Sequence, residues 1–199
     1  AMNVAASFVK SGRGLRFLVG GVESMSRIPR RGAGFSESNW IGENCPLAYV
    51  QMGETAERVA SEFLEISRAD QERFAARSHE LAHRAFEEGK YSDSVVELSG
   101  VKRDEGIRYP VSVEKMSTLK PVFRPDGVVT AATSSSLSDG VTSGWVMERE
   151  EALRLGARDW IEIVDSVATH VAPEVMGMGP VQATRALLAR NHLTVADLA

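Results

Sequence analysis

The chain alternates short apolar runs with longer segments whose apolar residues recur at helical spacing. Residues 1–11 carry Val4 and Phe8 four apart, the period of a helix, and Gly12 and Gly14 end it. Leu15 to Val19 reads as a short strand, and Gly20-Gly21 as a turn leading into a polar loop at 22–26. Residues 28–50 hold Pro29, Gly32, Gly34, Gly42 and Pro46 without a period, which predicts a loop-rich excursion. A helix is predicted over 55–65, with Ala56, Val59, Ala60 and Phe63 on one face. Ser67-Arg68-Ala69-Asp70 is a capping-box pattern, and the helix behind it runs to about Glu88, with Gly89 placed to end it. Its apolar face is Phe74, Leu81, Ala82 and Ala85. A strand at 95–98, a charged loop at 100–106 and a short helix at 112–119 follow.

The next stretch, LKPVFRPDGVVTAATSSSLSDG at 119–140, reads as strand, tight turn at Asp126-Gly127, strand, and a small polar loop at Thr133 to Ser136. Small hydroxyl-bearing loops let a ligand approach the backbone closely, although a surface hairpin has the same pattern. After Gly140 the pattern predicts a short helix, a strand at 145–147, and a helix over 148–155 stopped by Gly156. Trp160 to Val171 is strongly β-branched, and Pro180 suits the first position of a helix to about Arg190. Strands alternating with helices favour an α/β fold. The chain opens in helical register without a cap, and Thr194 to Asp197 is a capping box that begins a new element. Both ends lead us to expect a segment of a longer chain.

Composition narrows the function classes. The 199 residues are 43% apolar and 25% charged, as in ordinary globular proteins. A net charge of −4 argues against a broad nucleic-acid surface. No apolar run approaches the roughly 20 residues of a membrane span. The first residues do not form a cationic leader with an apolar core. The single cysteine, Cys45, excludes an internal disulfide and favours a reducing, cytoplasmic setting.

Several motifs carry candidate chemistry. His79-Glu80-Leu81-Ala82-His83 fits the H-E-x-x-H pattern of zinc peptidases. At about 100° per residue, Phe74, Leu81, Ala82 and Ala85 share an arc of about 100° that leaves His79 and His83 on the polar side. A catalytic zinc helix turns its histidines into a cleft, so two solvated histidines are the favoured reading and zinc peptidase a remote one. Cys45 lies between Asn44 and Pro46 without a helix N-terminus or histidine to activate it. There is no G-x-S-x-G elbow and no glycine-rich phosphate loop after a strand. Met52-Gly53 and Met176-Gly177-Met178-Gly179 are methionine-glycine turns, suited either to core filling or to an apolar slot. Arg108 is an isolated base beside Ile107 that serves as a phosphate contact only with a partner site.

Five stretches in order, GGVESMSR (20–27), QMGETAERVA (51–60), ISRADQERFAARSHELA (66–82), LKPVFRPDGVVTAATSSSLSDG (119–140) and PEVMGMGPVQATRALL (173–188), resemble the thiolases, the acyl-CoA acetyltransferases. The segment at 104–123 looks more like the degradative, fatty-acid β-oxidation branch, the 3-ketoacyl-CoA thiolases. The resemblance implies a layered α/β/α fold with two similar halves and an inserted loop domain. Residues 1–27 would end the N-terminal half, 28–120 form the CoA-binding loop domain, and 121–199 begin the C-terminal half.

In that family a cysteine nucleophile carries the acyl group as a thioester and a second cysteine acts as acid and base. The resemblance puts those catalytic motifs outside this chain, so no catalytic residue is assigned and the chain alone is expected to be inactive. It also implies no cofactor, with CoA and acyl-CoA as substrates, and a homo-oligomer, dimer or tetramer, as the parent protein.

Residue by residue, it carries over a CoA-binding set. Ser135 matches the position that bonds the pantetheine amide, flanked by Ser134 and Leu137. Met52 matches the methionine of the pantetheine tunnel, Arg108 the arginine near the CoA nucleotide, and Phe123 and Met176 the tunnel and acyl-site lining. Gln51 stands where many members have histidine, Ala132-Thr133 replaces the commoner Gly-Asn, and Thr142-Ser143-Gly144-Trp145 replaces an alanine-rich run. The alternative reading is a non-catalytic CoA-binding fragment or scaffold.

Overall fold

The computed structural model describes residues 1–28, 35–63 and 66–198. In chain order the elements are α1 (Met2–Lys10), β1 (Arg16–Ser24), α2 (Asn39–Asn44), α3 (Met52–Glu62), α4 (Arg68–Glu87), α5 (Val113–Ser117), β2 (Asp139–Met147), α6 (Arg149–Arg154) and α7 (Gly179–Arg190). Short 3₁₀ turns lie at Pro46–Tyr49, Ala131–Thr133, Pro173–Met178 and Val195–Asp197. Two compact units result. One comprises Ala1–Glu37, Leu137–His170 and Gly179–Ala199; the other comprises Ser38–Ser136 and Val171–Met178.

The first unit is built on one antiparallel strand pair. β1 and β2 are in register from Arg16 opposite Met147 to Ser24 opposite Asp139. The sequence predicts a turn at Gly20-Gly21 and a helix after Gly140. Instead β1 runs straight through both glycines, because the β-branched run Val141-Thr142 offers it a ladder from far downstream. α1 covers one face of the pair, where Ala5, Val9 and Val146 are buried and Phe8 meets Phe17 edge-on at 5.7 Å. At the far end Asp139 accepts hydrogen bonds from the Ser26 amide (2.9 Å) and the Ser26 hydroxyl. The hydroxyl bond is the main cause that holds the Asp139 carboxyl below its ordinary range.

Residues 160–171, whose β-branched character would suit a strand, join no ladder among the described residues, and Ile161 and Val164 are exposed. β-branched residues favour a strand, but a strand also needs a hydrogen-bonding partner. This segment is tied instead to the end of α7. Asp165 accepts from Arg190 Nε at 2.7 Å and Nη2 at 2.6 Å, and from Asn191 Nδ2 at 2.9 Å. The Arg190 bonds, then that of Asn191, hold its carboxyl at about 2 instead of 3.8. A depressed carboxylate stabilises the folded state above its unfolded value and ceases to do so as pH falls through the folded one. The stabilisation is therefore expected to be complete above about pH 4 and to disappear toward pH 2. Thermal melts across that range should fall less steeply for Asp165→Asn than for the unaltered chain.

The second unit is helical. Ser67 caps α4 by the predicted capping box: Asp70 N–H donates to Ser67 Oγ at 3.2 Å, and Ser67 N–H donates to Asp70 Oδ2 at 3.0 Å. α4 ends at Gly89, whose φ of +69° suits a residue without Cβ. Its inward face is only partly the predicted one: Ala82 and Ala85 are half-buried. Phe74 is 72% exposed and Leu81 is exposed too, while Glu72 and Ala76 are buried and His79 and His83 half-buried beside them. The cause is Arg68, which pairs with Glu72 at 2.7 Å and donates to the carbonyls of Met116, Ser117 and Leu119 at 3.2, 3.2 and 2.7 Å. That polar tie turns the Arg68–Glu72 side of α4 toward α5.

Other local expectations shift similarly. The loop-rich excursion contains α2, capped by Ser38, and a 3₁₀ turn; residues 29–34 lie outside the described residues. α3 begins at Met52, three residues before the predicted start, and residues 64–65 at its predicted end also lie outside the described residues. It buries Thr55 and Glu57 and leaves Ala56 outside. The predicted strand at 95–98 reduces to one bridge between Leu98 and Val101 across a turn with positive φ at Ser99 and Gly100. No helix among the described residues is long and apolar enough to cross a membrane.

Candidate functional site

The site is assembled on the first turns of α3. Met52 opens that helix and is 72% exposed. At Gly53 the ring of Phe123 occupies the place of a side chain: a Cβ there would lie 1.9 Å from two ring carbons. One residue on, Glu54 Oε2 accepts from Arg124 Nε at 2.9 Å. One turn on, the buried Glu57 carboxylate accepts the amide of Val128 at 2.9 and 3.1 Å and that of Val129 at 2.8 Å. Consecutive points of one helix thus hold residues 123, 124, 128 and 129.

This clamp explains why the predicted hairpin is not a ladder. One cross-chain bond survives, from Val122 N–H to Val129 O at 3.0 Å, and Gly127 N–H closes the turn on Arg124 O at 3.1 Å. The Val128 and Val129 amides go to a carboxylate instead, and Pro121 and Pro125 have no N–H to offer. Beyond the clamp the chain is fixed by itself. Thr130 N–H donates to Thr133 Oγ1 at 3.1 Å, and Ser134 Oγ donates to Thr130 O at 2.8 Å. Ser135 follows in an exposed, extended segment.

Met176 belongs to a turn that meets α3. The Pro173–Met178 turn packs along the helix, with Gly177 3.7 Å from a Val59 methyl measured from its would-be Cβ, and Glu174 4.0 Å from Arg58. The structure therefore places Met52 and Phe123 on α3, packs the turn that carries Met176 against that helix, and holds Val128 and Val129, a few residues before Ser134 and Ser135, to it through Glu57. Arg108 is held elsewhere in the unit: its amide donates to His79 Nδ1 at 3.3 Å. Leu137 begins the next segment of the other unit. A hollow beside the strand pair, lined by Arg16, Trp145, Met147 and Leu155, contains none of these seven residues.

The histidine pair needs a correction. His79 and His83 do not lie on the solvent face; both turn toward the 103–109 loop. His79 receives the Arg108 amide, and the His83 ring stacks on Tyr109 with centroids 3.8 Å apart. Among the described residues no group of three His, Cys, Asp or Glu side chains is placed to hold a metal. Cys45 ends α2, its amide bonded to Ile41 O at 2.7 Å.

The residues missed by sequence reasoning are Gly53, Glu54 and Glu57, with Arg124. Their available signal is the i, i+1, i+4 spacing on α3 opposite an R-x-D-G turn. Nothing local says that a helix glutamate is buried, because burial depends on the turn that meets it.

The chain matches the family model described as thiolase, N-terminal domain, over residues 1–150. It is 36% identical over 91% of its length to a 3-ketoacyl-CoA thiolase of Bacillus subtilis, and 37% identical over all of its length to one of Marinobacter nauticus. It spans about half the length of these curated relatives, 50% and 53%. Among solved structures it superposes on the dimeric peroxisomal thiolase of Saccharomyces cerevisiae with a TM-score of 0.88 and 33% identity, covering 100% of this chain and 53% of that one. For the acetyl-CoA acetyltransferase of Syntrophomonas wolfei the TM-score is 0.82 at 29% identity, over 98% of this chain and 53% of that one. With its α/β architecture, its five motifs in order and this agreement in sequence and structure, the chain belongs to the thiolase family.

Proposed function

We propose that this chain is the CoA-holding portion of a 3-ketoacyl-CoA thiolase, which moves an acyl group between CoA and an enzyme cysteine thioester in fatty-acid β-oxidation. The observation that carries the reading is that Met52, the Phe123 ring and the turn bearing Met176 all lie on α3, with the stretch leading to Ser134–Ser135 held to the same helix at Val128 and Val129. A pantetheine arm is thin, apolar and amide-bearing. Methionine and phenylalanine suit its methylenes. Serine hydroxyls suit its amides, and in this reading Ser135 takes the amide while Ser134 and Leu137 flank it. Arg108 supplies a guanidinium for a CoA phosphate. CoA is the substrate, and no cofactor enters the reading.

Thioester transfer in this family uses two cysteines, and this chain has one, Cys45, whose backbone amide closes α2. The chain alone is therefore expected to show no thiolysis of a 3-ketoacyl-CoA by CoA. Turnover by the purified polypeptide, abolished by Cys45→Ala, would overturn this assignment. The dimeric yeast relative supports a homo-oligomeric parent, and the single cysteine supports a reducing, cytoplasmic setting.

A further inference from the structure

Glu57 is 4% exposed, yet its hydrogen bonds are to backbone amides and it has no ion-pair partner among the described residues. A carboxylate taken out of water is costly unless its lone pairs are filled, and bonds from N–H groups to a charged acceptor are about twice as strong as neutral ones. The carboxylate grips two consecutive amides at one end of a short path. That path continues through the Thr130–Thr133 bond and the Ser134–Thr130 bond to Ser135. Gly127 is packed against the same group: a Cβ there would lie 2.3 Å from Oε1 and 2.7 Å from the carboxyl carbon.

We propose that Glu57 is the positioning residue of the CoA loop, setting where the Ser134–Ser135 hydroxyls stand relative to Met52 on its own helix. This rests on the CoA reading above. Residues 128 to 134 make no regular sheet or α-helix, so their path depends on specific anchors. Two consecutive amides, in three contacts with one carboxylate, link this path to α3. Glu57→Gln keeps size and shape but turns one amide-facing oxygen into a donor. Gly127→Ala keeps the carboxylate and displaces it from the opposite side.

The test combines CoA calorimetry with amide hydrogen exchange on the unaltered chain, Glu57→Gln, Glu57→Ala, Gly127→Ala and the Glu57→Ala/Gly127→Ala pair. Each lost bond to a charged acceptor corresponds to about tenfold or more. Glu57→Gln and Gly127→Ala are each expected to weaken CoA binding about tenfold or more. They should also speed exchange at residues 128–136, with α1, β1 and β2 unchanged. Gly127→Ala should cost nothing further once Glu57 is already alanine, because the clash is gone.

CoA affinity within twofold of the unaltered chain in Glu57→Gln would overturn the proposal. So would exchange that rises uniformly across residues 38–136 in both single variants, which marks a general strut. If the unaltered chain binds no CoA, the CoA reading itself fails. Exchange then decides the role of Glu57: faster exchange confined to 128–136 supports it and unchanged exchange overturns it.

Discussion

Replacing Gly53 by alanine is expected to destabilise the Ser38–Ser136 unit by about 2 kcal/mol and to weaken CoA binding with it. Alanine gains up to about 1 kcal/mol of helix propensity over glycine. That gain is smaller than the conflict it creates. Its methyl would lie 1.9 Å from two carbons of the Phe123 ring, well inside contact distance. The ring must leave, and with it go the packing of residue 123 and the alignment of Arg124 with Glu54. Urea unfolding of Gly53→Ala, Phe123→Ala and the double variant measures this directly. In the Phe123→Ala background the glycine replacement should become neutral or stabilising, whereas an additive double variant would show that the ring does not sit on Gly53.

Arg68→Ala is expected to cost about 3 kcal/mol. Glu72 is 3% exposed, and Arg68 Nε at 2.7 Å is its counter-charge. Breaking a buried pair from one side typically costs about 3–5 kcal/mol, because the other charge is left in a poor solvent. Arg68 itself is partly exposed, which lets water reach the vacated position and places the effect at the lower end. The same guanidinium satisfies three carbonyls between residues 116 and 119, the end of α5 and the entry to the clamped turn. Lysine has no planar fork for that set, so Arg68→Lys should recover little. Replacing both partners, Arg68→Met with Glu72→Leu, should recover only the part due to the stranded Glu72 charge, because the three carbonyls still lose their donor. A loss under about 1 kcal/mol for Arg68→Ala would mean that α4 is not held to α5 by this residue.

What the sequence made legible was local. The Ser67–Asp70 and Thr194–Asp197 capping boxes and the glycines behind α4 and α6 depend on neighbours within a few residues, and each is found where the spacing puts it. The five family motifs are also read directly from residue order. What was not legible depended on distant partners. β1 passes through Gly20 and Gly21 because β2 meets it from residues 139–147. α4 turns Phe74 outward and its histidines inward because Arg68 commits to Glu72 and to the α5 carbonyls. Apolar periodicity alone counts Phe74 and Leu81 as core and has no term for that polar tie. The turn at 121–130 gives up its ladder because a glutamate from another helix takes its amides. Of the candidate site, the methionines, Phe123 and the serines were readable as types and positions, and the α3 clamp that gathers them was not.

Calorimetric titration of CoA into the purified chain, with Ser135→Ala and Arg108→Ala alongside, tests the central claim most directly. The account predicts saturable binding near one CoA per chain, weakened by about 1 kcal/mol in Ser135→Ala through loss of one hydrogen bond. Arg108→Ala should weaken it by a similar or larger amount through loss of a charge-assisted contact. Absence of saturable binding, or binding that neither substitution weakens, would contradict it.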